Sequence, residues 1–162
     1  MSENVEVEVA DVPSAPTAVR EGRAAPGELS ATIRRLLDPV WAYVRTTDLV
    51  PLHNIVLYRP PDGEPGMPLE VGVRVDRAFD DAAPPADVCC RELPAGRVAR
   101  ATHVGRYERL GQTHDAVVAF CHANGLERTG RSWEIYGDWN EDVDLLETEV
   151  VHEVRPLRDP PS

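Results

Sequence analysis

The chain predicts an α+β fold, an antiparallel sheet carrying two helices on one face and built from two β-α-β-β units about an approximate two-fold axis. Three observations predict it. Extended segments alternate apolar and polar residues, as at Val71, Val73 and Val75, the mark of a strand with two distinct faces. Two other stretches space their apolar residues at helical intervals. The order of these segments then repeats, at an offset of 77 residues that carries Ile33 onto Leu110.

The first element alternates Val5, Val7 and Val9 with Glu6 and Glu8, a strand with one wet face. After Pro13–Pro16 a second extended stretch runs from Thr17 to Arg23. A helix opens near Gly27, with Ile33, Leu36, Leu37, Val40, Trp41 and Val44 forming one continuous stripe. Pro39 lies inside it and removes a backbone donor, so a kink is expected there. Two strands follow, HNIVLYR and LEVGVRVD, separated by a loop rich in proline and glycine. Residues 78–86 read as a linker. The second half supplies extended segments between Val88 and Val104 and a helix within Arg106–Gly125. Asn124-Gly125 is suited to a left-handed helix end. Two further strands, SWEIYGDW and TEVVHEV, complete it.

The offset also sets Leu37 on His114, Val40 on Val117, Trp41 on Val118, Val44 on Cys121, Leu49 on Leu126 and Leu57 on Glu134. Ahead of the helix, Val12-Pro13 matches Leu93-Pro94 with four residues more in the first half. Matching order, loop length and strand positions favour an internal duplication. The expected organisation is one domain, 1–162, made of two repeats at about 3–77 and 87–156.

Glu134 stands in the apolar strand RSWEIYGDW. Alternation predicts Trp133, Ile135, Val56 and Tyr58 beneath the helices. It predicts Ile55, Leu57, Ser132, Glu134 and Tyr136 on the opposite, uncovered face, a mixed surface suited to a ligand cleft. Tyr107, at the helix start, closes the cleft mouth, and Trp139 walls it. A carboxylate there loses hydration, so it protonates, pairs with an internal base or waits for a cation. Arg74 and Arg100 are the internal candidates. Trp41 and Trp133 read as core. His114 reads as a satisfied boundary residue on the helix stripe, and Cys121 as a core residue.

The net charge of −11 excludes the basic footprint of a nucleic-acid binder. The acidic run Glu141, Asp142, Asp144, Glu147, Glu149 reads as a solvated loop and strand face. Three cysteines without CxxC spacing argue against a disulfide framework or zinc site, and the histidines show no metal spacing. No cofactor is expected. The start of the sequence lacks an apolar signal region and no stretch approaches a membrane span, so a cytoplasmic location without membrane contact is expected. An exposed sheet edge can support a homodimer.

Gly105-x-Tyr107 ahead of the second helix, Gly125-Leu126 after it, Glu134-x-Tyr136 in the next strand and the closing strand TEVVHEV form one pattern. On these residues the second half resembles the GyrI-like small-molecule-binding domain, also found as the effector-binding part of AraC-type and MerR-type multidrug regulators. The first half matches by architecture. The resemblance implies a duplicated β-α-β-β fold and a central cleft for amphipathic, often cationic or aromatic, molecules, anchored by the carboxylate matching Glu134. No helix-turn-helix precedes the domain, so a stand-alone binding protein is expected. The ligand-binding set is then Glu134, Tyr136, Tyr107, Trp139, Leu57 and Ile55. Some stand-alone relatives are similar to hydrolases that open strained rings, which makes Glu134 and Tyr136 catalytic under that alternative. A third alternative is a gyrase-inhibitor-like interaction module using the 141–149 loop.

Overall fold

The structure, a computed structural model, describes residues 5–156; the repeat boundary expected near residue 3 lies outside them. Eight strands form one antiparallel sheet: β1 (Glu8–Val12), β2 (Ala15–Ala24), β3 (Pro51–Tyr58), β4 (Met67–Val75), β5 (Cys89–Leu93), β6 (Gly96–Val104), β7 (Leu126–Tyr136) and β8 (Glu147–Pro156). Their spatial order is β1-β6-β8-β7-β3-β4-β2-β5. Helix α1 (Leu29–Val44) joins β2 to β3, and α2 (Leu110–Ala123) joins β6 to β7.

The helices form where the apolar stripes stand. Thr32, Leu36, Val40 and Val44 are the buried residues of α1, and the helix continues through Pro39. Leu110, Thr113, Val117 and Cys121 are buried on α2. Gly125 follows α2 at φ 66°, a conformation that costs a glycine little. Helix α1 packs on β2 and β4, and α2 on β6, β7 and β8. A bond from Trp41 Nε1 to Asn54 Oδ1, 2.8 Å, ties α1 to β3. On the other half His103 Nε2–H donates to the Arg106 carbonyl at 2.8 Å. Its Nδ1 is therefore free to accept from the Thr113 hydroxyl at 2.7 Å, which holds the start of α2 to β6.

The central pair β3–β7 decides the faces. Val56 is registered on Glu134 and Tyr58 on Ser132; Ile55 is registered on Ile135 and Leu57 on Trp133. Val56 packs with Leu36, Leu69 and Val71 beneath α1, with Tyr58 and Tyr136 against that cluster. Glu134 and Tyr136 therefore lie on the helix face, the reverse of the sequence expectation. Trp133, Ile55 and Leu57 belong instead to a core with Val19, Leu93, Val98 and Val151, and Ile135 packs against it. That core draws on β2 and β5 at one end of the sheet and β6 and β8 towards the other. Strands so far apart meet over one face when the sheet curls on itself. The face expected to stand open as a cleft is filled by this curl.

Gly72 marks where the curl is tight: a Cβ built on it would lie 1.8 Å from the Ala18 carbonyl oxygen. Register shifts fall between Pro51 and Asn54 on β3, by one residue, and between Arg128 and Ser132 on β7, by two. Val56, not Leu57, shares its face with Glu134, so the offset that matches the two helices does not carry Leu57 onto the position of Glu134. No helix among the described residues is long and apolar enough to cross a membrane.

Candidate functional site

Strand β7 presents Glu134 and Tyr136 two residues apart on the helix face, so their side chains stand side by side. The Tyr136 hydroxyl donates to Glu134 Oε1 at 2.6 Å. From β3, the neighbouring strand, the Tyr58 hydroxyl donates to the same oxygen at 3.0 Å. His114, on α2, donates from Nε2 to Glu134 Oε2 at 2.8 Å. Its Nδ1 lies 2.9 Å from Nε2 of His152 on β8. Three elements thus converge on one carboxylate, with β8 behind them through His152; the side chain of Glu134 is 5% exposed and that of His114 20%.

Electrostatics sort the members of this group. Burial, then the neighbouring Glu134 charge, pushes the Tyr58 and Tyr136 hydroxyls far above the ordinary phenol range, so both remain donors. Burial, then the nearby charge of His114, lowers His152 to about 3, and His152 is neutral at physiological pH. Rings enclose the group. Tyr107 stands edge-on to Tyr136 at 5.4 Å between centroids, Tyr58 edge-on to His114 at 6.2 Å and His114 edge-on to His152 at 5.1 Å. Tyr107 is 38% exposed and forms the outer member.

The residues expected to form the site separate. Glu134, Tyr136 and Tyr107 come together. Ile55 and Leu57 are buried with Trp133 on the far face and do not meet the carboxylate. Trp139 lies beyond the end of β7, 70% exposed. Neither arginine reaches Glu134. Arg74 is registered on Thr17 and, one residue beyond Val73, points away from the helices. Arg100 pairs with Glu8 at 2.7 Å and Glu149 at 3.7 Å. The internal partner is His114. A surface hollow of about 780 Å³ lies elsewhere, lined by Glu6, Glu8, Arg100, Thr102 and Glu149. In the acidic run, Asp144 pairs with Arg106 at 3.6 Å.

The sequence of residues 6–155 matches the GyrI-like small molecule binding domain. The chain belongs to that family. Among solved structures this GyrI-like chain is similar to the EcmrR C-terminal domain, with a TM-score of 0.80 and 16% identity over 94% of this chain and 99% of that one. It is similar to SAV2435 bound to tetraphenylphosphonium, TM-score 0.67 and 14% identity, over 93% of this chain and 94% of that one. It is also similar to a hydrolase encoded by lin2189 from Listeria innocua, TM-score 0.61 and 15% identity, over 93% and 92% of the two chains. At these identities the likeness is one of fold. No curated protein matches the sequence.

Within this GyrI-like domain, sequence reasoning missed Tyr58, His114 and His152. Tyr58 was expected on the helix face, where it lies, yet the acid was placed on the other. His114 carried a usable signal: a titratable ring in an otherwise apolar stripe, on the helix next to the strand holding an unpaired acid. His152 alternates with Val150 and Val154 and carries no such signal.

Proposed function

We propose that this domain binds a small amphipathic molecule, cationic or aromatic, between its two helices, with Glu134 as the polar anchor. One observation carries the reading: a carboxylate 5% exposed, whose ion-pair partner is a histidine and whose other donors are two neutral phenols. A buried carboxylate recovers its lost hydration from a cation brought close in a weakened dielectric. The faces of Tyr58, Tyr136 and Tyr107 add cation–π attraction. Tyr107, outermost and partly exposed, is the ring that moves aside to admit the ligand. Tetraphenylphosphonium, which one similar structure holds, is the first probe. Titration followed by tryptophan quenching gives saturable binding, and Glu134→Gln, shown folded by circular dichroism, weakens it at least tenfold, about 1.4 kcal/mol. Equal binding by the variant rules out Glu134 as the anchor.

A hydrolase is the second reading. The file His152–His114–Glu134 favours it, since a carboxylate linked to two imidazoles is suited to move protons. Under that reading Glu134→Gln still binds a strained electrophile and no longer turns it over. The site lies where the halves 3–77 and 87–156 meet, and we read these as copies of one ancestral unit. In support, the strand order runs outward from β3 and β7 in the same sense, β3-β4-β2-β5 on one side and β7-β8-β6-β1 on the other. The outer strands β1 and β5 are the edges along which a second copy can pair.

A further inference from the structure

We infer that His114 is the specificity-determining residue of this site: it is an internal counter-cation whose charge a ligand replaces beside Glu134, so the domain takes up a permanent organic cation in exchange for a proton. The inference rests on the binding reading above and goes beyond it, because it names what occupies the anchor beforehand and what leaves.

The geometry assigns the role. His114 Nε2 and Glu134 Oε2 are 2.8 Å apart, with the carboxylate nearly buried. A charged His114 has a use for both N–H groups, one on Glu134 and one on His152 Nε2 at 2.9 Å. A neutral His114 keeps both contacts as well. It donates from Nε2 to Glu134 and accepts at Nδ1 from a His152 that now carries its proton on Nε2. The ring therefore gives up a proton without losing its place, which is what an exchangeable counter-ion requires.

The other groups facing His114 do not substitute for it. On β3 and β7 the phenols of Tyr58 and Tyr136 stay protonated. On β8 His152 stays neutral, lowered to about 3 by burial and by the charge of His114. On β6 His103 is committed to Arg106 and Thr113. Asp115 and His122 on α2 itself and Arg128 on β7 are exposed to solvent. Proton and organic cation compete for one carboxylate. By linkage, each weakens the binding of the other by the same factor. Where one proton leaves for each cation bound, affinity for a permanent cation climbs up to tenfold per pH unit, and it levels off where none leaves.

Calorimetry with tetraphenylphosphonium between pH 5.5 and 8.5, in pairs of buffers differing in ionisation enthalpy, reads both affinity and proton release. The wild type is expected to bind more tightly as pH rises and to release close to one proton at the acid end. His114→Gln, which keeps a donor, and His114→Leu, the residue at the matching first-half position, are expected to bind with little pH dependence and no proton release. If either variant misfolds, the imidazole resonances of wild-type His114 are followed by NMR, and the ligand moves them toward those of a neutral ring. Binding that is lost in Glu134→Gln, yet flat with pH and without proton exchange in the wild type, overturns the inference and leaves the binding reading standing. Absence of binding at every pH, or binding indifferent to Glu134→Gln, overturns both.

Discussion

Glu134 accepts from two phenols and one imidazole, and each donor comes from a different backbone position. Removing one donor leaves a buried acceptor short of a partner. Tyr136→Phe keeps the ring against Tyr107 and deletes a 2.6 Å bond. A hydrogen bond to a charged group is worth about 1.5–3 kcal/mol, and the variant is expected to lose about that much stability in urea denaturation. An unchanged midpoint would mean that water replaces the hydroxyl. At this scale the sequence identified the acid and the tyrosine two residues on. It did not identify the partner, because the acid was expected on the face away from the helices, where Arg74 points, and it lies on the other. Arg74 is one residue out of phase with the helix face, and Arg100 is held by Glu8 and Glu149.

Elements were legible where a single periodicity dominates. Both helices lie where their stripes place them, and Val71, Val73 and Val75 stand in β4 beneath α1. The faces of β7 were not legible, because both carry apolar residues. Trp133 and Ile135 are the greasier pair, and the assumption that the greasier face meets the helices placed Glu134 on the wrong side. In the curled sheet β2 and β4 are paired neighbours, with Val19 opposite Gly72. A methyl group at Gly72 would overlap the Ala18 carbonyl, and the strands must part to admit it. Gly72→Ala is therefore expected to cost about 1–3 kcal/mol, the range of overpacking in a closed core. A thermal midpoint within a degree or two of wild type would show that the sheet opens there easily.

Over the whole molecule, stability and the site share one titrating group. His152 is lowered to about 3 in the folded chain and returns to the ordinary histidine value, 6.5, on unfolding. Between these values the unfolded chain holds a proton that the folded chain lacks, so stability rises with pH. Its contribution is complete above about pH 6.5 and is lost as pH falls toward 3, by at most about 1.4 kcal/mol per pH unit. Denaturation of wild type and His152→Gln across pH 4–7 is expected to show the shallower slope in the variant; equal slopes would assign the acid sensitivity to other groups. The sequence by itself determined the α+β class, both helices, the strands of the site and the acid at its centre. Period and composition are local properties, and each is complete within a dozen or so residues. Tertiary structure alone decided which face the acid occupies and that His114 and His152 reach it. Those depend on how an eight-stranded sheet curls and where its register slips, and these are sums over contacts between residues far apart in the chain.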